Sequence, residues 1–479
     1  MMEFGMALEA CDFRTLESLC PGRVGAPGSP LYETGRRVFS RAGRIRSPAA
    51  VLRPADRNQV AAIMAWANAA GIRLSIRSGG HSFDGFPVRD DGVLLDLRGL
   101  SAVRYAPSGY LHAMTGATVG DIARALDGTG RAMPIGECPT VGVGGLVLGG
   151  GFGQCTRHFG LTSDFLAEAT VVTASGQIQV TNAVTNANLF WGVRGGAGCV
   201  GIVTELVFHT VPIQQVTGVT LGWRWDAAVE AILLFTQLMH TAPSELDLQL
   251  SIRTTGADRY ADEASAGPAD VIPGTPRVRI DGQFLGNRDD ARSLMRPLLE
   301  HPAALHASIR EESFFDAVFV SNDFLHDPAP ATLRPHRIAS DIGRGALGAV
   351  EAAAIVRQIN ELQFAPELPG GAVSIEAING AVAAFTPQET AFFHRGQDFV
   401  YHWALGDRLP ADAGLAARHD AVLQEIRHDL AGVLTGGRYV NYADILDTPS
   451  DWWGDNTDQL MSVVQEHDPD RILISRLNP

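Results

Sequence analysis

The chain has 479 residues, 46% of them hydrophobic and 19% charged, a balance that supports packed cores and argues against disorder. At roughly 150 residues per domain, about three domains is the naive expectation. Acidic residues outnumber basic ones 53 to 38, a formal charge of −15. Without a Lys/Arg cluster, that balance speaks against nucleic acid and anionic membranes as partners and leaves a small molecule.

The opening "MMEFGMALEACDFRTLESLC" lacks a basic n-region and a continuous apolar stretch, so no signal peptide is expected. No window approaches 18 uninterrupted apolar residues, so no membrane span is expected either. Cys11, Cys20, Cys138, Cys155 and Cys199 are odd in number and irregular in spacing. They fit neither a disulfide framework nor a zinc pattern; a cytoplasmic protein with one or two special thiols and no metal is expected.

Residues 49–81 read strand, helix, strand, glycine loop. Asp56 is a candidate N-cap, Val60, Ile63, Met64 and Ala67 follow helical spacing, and Gly71 closes the helix. "GVLLDL" predicts a strand and "TVGDIARALDGTG" a short helix. From Val216 the texture changes. "VTGVTLGWRW" alternates as a strand, "DAAVEAILLFTQLMHTAP" predicts a helix capped by Asp226, and "ELDLQLSIRT" and "RVRIDGQFLG" alternate on either side of a loop at 256–276. The pattern predicts an α+β chain with a lead-in (1–45), a first domain (46–213), a second domain with an antiparallel sheet and helices on one face (214–430), and a closing segment (431–479).

Three glycine-rich stretches stand before residue 205: "RSGGHSFDGF" (77–86), "GVGGLVLGGGFG" (142–153) and "VRGGAGCVGIVT" (193–204). Such stretches suit close approach to a planar ring or a pyrophosphate, or a tight crossing of two backbone segments. None has the strand–GxGxxG–helix frame of a Rossmann site, which demotes a nicotinamide-binding module. His81 alone reads as a hydrogen-bonded loop residue, and Cys138 alone as a small buried hydrophobe. As a pair, each beside a glycine platform, they are more specific.

In that order, "RSGGHSFDGF", "GECPTVGVGGLVLGGGFG", "RGGAGCVGIVTEL" and "YVNYAD" resemble the berberine bridge enzyme-like flavoproteins of the vanillyl alcohol oxidase/p-cresol methylhydroxylase superfamily. The resemblance implies a two-part FAD-binding domain of the p-cresol methylhydroxylase type and FAD bound covalently through His81 to the 8α-methyl and Cys138 to C6. It also implies cofactor contacts from Arg77, Ser78, Gly79, Gly80 and Ser82, and from Thr140, Val141, Gly142, Gly144, Gly145, Gly149, Gly150 and Gly153. Gly201, Ile202, Val203 and Asn441 complete that set. Two departures stand out: Leu146 where many members have histidine, and Cys155, a second thiol expected near the flavin.

The resemblance makes Tyr439 of the YxNY segment the proton acceptor and places Tyr401 where relatives hold a glutamate or a second tyrosine. On a strand, Phe399, Tyr401 and Trp403 share one face. That face stands over a ligand or packs into a core; the former is the expectation, with His394 and Arg395 structural and His402 on the opposite side. A phenol of pKa about 10 costs roughly 4 kcal/mol to hold ionised at pH 7, so two tyrosines sharing one proton make better sense than one.

The implied activity is an oxidase, in feel closest to bacterial antibiotic-tailoring sugar oxidases. It would pass hydride from an alcohol, sugar hydroxyl or activated C–H of a bulky small molecule to FAD, and the electrons to O2. An oxidative cyclase or desaturase, and a flavin-binding protein without turnover, are the alternatives. A monomer or homodimer is expected.

Overall fold

The computed structural model describes residues 12–39, 46–90, 92–213, 215–254, 275–320, 337–364, 370–405 and 413–477. Of the loop expected at 256–276, residues 256–274 lie outside them. Strands β1 (Val24–Gly25), β2 (Ala50–Leu52), β3 (Leu74–Arg77) and β4 (Val93–Asp96) form a sheet of order β1-β2-β4-β3, parallel across its last three. Its central strands are buried on both faces, which is why "VLLD" and "AVL" read as continuous apolar runs. The helix Arg57–Ala70 lies against it. Asp56 caps its start by accepting from Asn58 and Gln59 N–H, Gly71 ends it at φ 66°, and Val60, Ile63, Met64 and Ala67 are its buried residues.

Next in the chain come β5 (Val103–Tyr105), β6 (Tyr110–Met114), β7 (Arg131–Ala132), β8 (Leu166–Val172), β9 (Ile178–Asn182), β10 (Ile202–His209) and β11 (Val211–Pro212). Five of them form an antiparallel sheet, β5-β6-β10-β8-β9, while β7 and β11 pair separately. Helices Val119–Leu126, Ala187–Val193 and Thr457–His467 share that sheet's core, so the closing segment returns to the first half of the chain. Further on, the N–H of Leu74 donates to the Ile472 carbonyl and that of Ile474 to Leu74, laying Leu473 parallel to β3. Arg476 reaches Asp84 at 2.6 and 3.1 Å.

The second half is one antiparallel sheet of order β15-β12-β14-β13-β17-β18-β16. Its strands are β12 (Val216–Trp223), β13 (Leu246–Arg253), β14 (Arg277–Phe284), β15 (Ala304–Glu312), β16 (Arg337–Gly343), β17 (Gly371–Ala377) and β18 (Phe399–Leu405). Helices Ala228–Thr241, Ala349–Phe364 and Ala413–Asp429 cover one face; Leu248, Leu250, Ile280, Val373, Ile375 and Trp403 belong to the core on that side. The opposite parity faces the first half; it is polar along β13 and β14 and mixed on β16 and β18, where Ile342 and Val400 pack with Phe152 and Tyr439. Asp226 is not the cap expected of it. A 3-10 turn, Trp225–Ala227, precedes the helix, and Asp226 binds Arg224 at 2.8 and 2.9 Å.

Two buried arginines fasten the halves. Arg395 makes a two-pronged bond to Asp164, 2.7 Å on each side. Arg157, 2% exposed, donates its N–H to Asp247 and Nε to Asn379. Its remaining N–H groups go to the carbonyls of Met239, Ala242, Pro243 and Leu246. Met239 lies in the last turn of its helix, so the guanidinium supplies a carbonyl end that helical geometry leaves without donors. Arg157→Met takes a donor from five acceptors, of which the Met239 carbonyl keeps Asn379 Nδ2 and the Pro243 carbonyl keeps the Leu246 N–H. Scanning calorimetry should show a midpoint several degrees lower, on the order of 3 kcal/mol or more. Arg157→Lys should restore little of it, because an ammonium has three donors.

Candidate active site

A cavity of about 550 Å³ opens between the glycine loops and the polar face of the large sheet, within the roughly 300–1,000 Å³ of sites that hold cofactors. Its floor is a backbone crossing. A Cβ on Gly142 would stand 2.0 Å from the Gly79 nitrogen, and one on Gly79 2.3 Å from the Gly142 nitrogen. At these two positions glycine serves protein packing. Gly145 is different: nothing lies within 4 Å of its would-be Cβ, so it presents bare backbone to the cavity.

The crossing brings His81 and Cys138 to one end of the cavity. Thr140 joins them, its hydroxyl 2.8 Å from His81 Nε2 and 3.4 Å from Cys138 Sγ. Phe39 stacks on the imidazole at 5.1 Å. Burial, with the Arg77 charge behind it, pushes the His81 pKa down to about 4, so the ring is neutral at physiological pH. With Nε2 protonated and donating to Thr140, Nδ1 carries the lone pair and the threonine proton points to sulfur. Two nucleophiles beside a bare glycine wall are the donor set a doubly attached flavin needs. The residues present fit FAD.

Overhead, β17 and β18 contribute Glu376 and His402. The Tyr442 hydroxyl donates to Glu376 at 3.4 Å and its ring stacks on His402 at 4.2 Å. Glu137, adjoining Cys138, accepts one amide N–H from Gln154 and one from Gln249, each at 3.0 Å. Burial, reinforced by neighbouring carboxylates, pushes Glu137 up to about 7 and Glu376 to about 8. Asp247 is raised to about 7 by burial, opposed by the Arg157 N–H and charge. Tyr439 lies against Phe152, the ring centroids 4.1 Å apart and the planes tilted by 33°. Its oxygen accepts from the Gly151 N–H at 3.1 Å and Asn441 Nδ2 at 2.9 Å. Burial raises its pKa; those two donors oppose the rise.

Among the residues expected at the cofactor, the 78–82 loop, Cys138, Val141, Gly142, Gly144, Gly145, Gly153, the 201–203 strand start, Tyr439 and Asn441 line the cavity. Arg77, Thr140, Gly149 and Gly150 stand behind the wall. The Arg77 guanidinium binds the carbonyls of Gly35, Arg37 and Gly79 and so shapes the loop, while Gly149 makes room for the Asn441 side chain. Tyr401 corrects the sequence expectation. It is fully buried on the helical face between Phe399 and Trp403, because its parity is that of the core, and His402 takes the ligand side. Cys155 is buried too, bound to Gln283 at 2.6 Å, and does not line the cavity. Sequence reasoning missed Tyr442, Glu376 and Glu137. The polar alternation Gln249, Ser251, Arg253 was the available signal for the sheet face that carries Glu376.

Fold and cavity define an FAD-binding oxidoreductase. A model described as an FAD binding domain matches residues 48–182. The chitooligosaccharide oxidase of Gibberella zeae is 27% identical over 449 residues, covering 88% of this chain and 85% of its own. Berberine bridge enzyme-like 12 of Arabidopsis thaliana is 35% identical over 253 residues, 51% of this chain and 45% of that one. Among solved structures, a glucooligosaccharide oxidase from Acremonium strictum, described with a 6-S-cysteinyl, 8α-N1-histidyl FAD, superposes with a TM-score of 0.79 at 23% identity. That match covers 99% of this chain and 98% of the other. The chain carries an FAD binding domain, is an FAD-linked oxidoreductase, and is similar over most of its length to oligosaccharide oxidases and over part of it to berberine bridge enzyme-like proteins of the vanillyl alcohol oxidase/p-cresol methylhydroxylase superfamily. Among the described residues, no helix is long and apolar enough to cross a membrane and no cluster of His, Cys, Asp and Glu could hold a metal ion.

The raised acids give stability a pH dependence of definite sign. Glu137, Asp247 and Glu376 bind protons more tightly folded than unfolded, so their contribution to stability is full below about pH 4 and is lost as pH climbs through about 7 to 8. The thermal midpoint of the holoprotein should drop between pH 6 and pH 9, and Glu376→Gln should make that drop smaller.

Proposed function

We propose that the protein is a saccharide oxidase with FAD attached through both His81 and Cys138. In this reading residues 46–213 and 431–479 hold the cofactor and 214–430 roof the substrate. The carrying observation is the roof. Above the Cys138 end of the cavity stands a polar strand face with Gln249, Ser251, Ser374, Glu376 and His402, the hydrogen-bonding surface a polyhydroxylated molecule requires. Saccharide oxidases among the relatives support the same class. An antibiotic-tailoring role would use the same surface on a glycosylated substrate.

Bound FAD would supply the hydride acceptor N5, and the electrons would leave to O2 as H2O2. The chain's own task is the proton. A substrate hydroxyl placed at Tyr442 gives its proton to the phenolic oxygen as the phenol's own proton passes to Glu376. Two observations support Tyr442 over Tyr439: its hydroxyl has a carboxylate acceptor, and the Tyr439 oxygen is already occupied by two donors. Tyr439 then braces the Gly151 turn and Asn441.

Acid-precipitated protein should stay yellow, with an intact mass one FAD above the chain. His81→Ala and Cys138→Ala should each keep flavin through the other link; complete loss from Cys138→Ala would mean a single attachment. A screen of oligosaccharides and glycosides by H2O2 release tests the activity, and release from none of them, with flavin intact, would sink it.

Tyr442→Phe should slow anaerobic flavin reduction about 10²–10⁴-fold, and Tyr439→Phe less. Because Glu376 must be ionised to accept, kcat/KM should rise with pH through about 8, and Glu376→Gln should remove that limb. Equal slowing by both Phe variants would put the proton on Tyr439 instead.

A further inference from the structure

The geometry points to an anion-binding subsite at Arg253, which selects oligosaccharides with an anionic group on a residue beyond the one oxidised. This rests on the saccharide reading above and narrows it. Arg253 ends β13 on the polar face and lines the cavity. Its direct partner across the sheet is Arg277, and the next pair on the same face is Ser251 with Arg279. Like charges directly opposite one another destabilise a sheet, so this pair is costly to keep without a ligand role.

The three guanidinium groups are not equivalent. Arg279 is bound to Asp281 at 2.7 Å, and Arg277 has a partner within the chain. Arg253 is half-buried, and among the described residues its guanidinium makes no hydrogen bond or ion pair. On its other side the paired residue is Ala372, which lines the cavity and leaves room beside the fork. A planar guanidinium of this kind takes a carboxylate or sulfate on two N–H groups.

Position fixes which part of a substrate is read. Gln249 pairs with Glu376 at the reactive end, Ser251 with Ser374, and Arg253 with Ala372. Four residues of strand separate the first level from the last, about 14 Å at 3.4 Å per residue. That span exceeds one hexose ring, so the anionic group belongs to a later sugar. Overall the chain carries a charge of −15, which repels such a substrate until a local cluster of cations draws it in.

The test uses holoenzyme with cellotriose, the same trisaccharide carrying glucuronate at its non-reducing residues, and a sulfated cellotriose. Wild type should show a lower KM for the anionic forms, rising with ionic strength, while that for cellotriose stays flat. Arg253→Gln should raise KM for the anionic forms about 10- to 100-fold with kcat retained, and Arg253→Lys should keep part of the preference. A carboxylate preferred over a sulfate, or the reverse, identifies which anion is read.

Equal KM for neutral and anionic trisaccharides, unmoved by Arg253→Gln and by salt, would overturn the inference and leave the oxidase reading standing. If no trisaccharide is oxidised, the screen above decides the oxidase reading and binding decides the subsite. A perturbation of the flavin spectrum by the uronate form, seen in wild type and lost in Arg253→Gln, would support it. No perturbation in wild type would overturn it.

Discussion

Everything at this site hangs on a contact between two backbones. Gly79 and Gly142 touch so closely that neither tolerates a Cβ, and that contact joins two loops made far apart in the chain. Through it His81 and Cys138 come to share Thr140 as a neighbour, and the glycine wall acquires its flat surface. The contact costs conformational entropy at both glycines. It is offset by what stands behind: Arg77 binding three carbonyls around the first loop, and the Thr115 carbonyl accepting from both the Ser78 hydroxyl and the Gly144 N–H.

The roof solves a different problem. A seven-stranded antiparallel sheet must bury one face, and helices do that with the apolar parity of every strand. The other parity is then left to face the floor, and here it is polar along β14 and β13, with Ser374, Glu376 and His402 continuing it among apolar neighbours on β17 and β18. Holding it in place is shared between an apolar cluster, Phe152 and Leu161 against Ile342, Ile378, Val382, Phe392 and Val400, and two arginines, Arg157 spending its guanidinium on the opposite half and Arg395 reaching across to Asp164. The buried carboxylates Glu137, Asp247 and Glu376 lie along the same seam, so the strength of the join and the protonation of the site are coupled.

Much of the floor was legible from residue order because its signals are local. Asp56, Gly71 and four apolar residues at helical spacing describe one helix completely, and the paired His81 and Cys138 motifs carry their chemistry in their neighbours. Period-two patterns carry less. They show that Phe399, Tyr401 and Trp403 share a face and say nothing of which layer lies against it. The apolar parity of β13, β14 and β17 decided that, and Tyr401 followed it into the core. Asp226 failed for a similar reason: an N-cap residue competes with every nearby cation, and Arg224 two residues back won. The approach of Glu376 to Tyr442 spans 66 positions and leaves no trace in either local sequence.

The last described turn of chain adds a strand-like edge beside β3, brings Ile474 to the cavity wall and clasps Asp84 with Arg476, 392 positions apart. A polypeptide grows at about 5–20 residues per second, so roughly 20–80 s separate synthesis of the histidine loop from synthesis of its clasp. The histidine loop therefore meets its clasp only after every residue between them has been made, which puts this wall of the cavity among the later contacts of the fold to form.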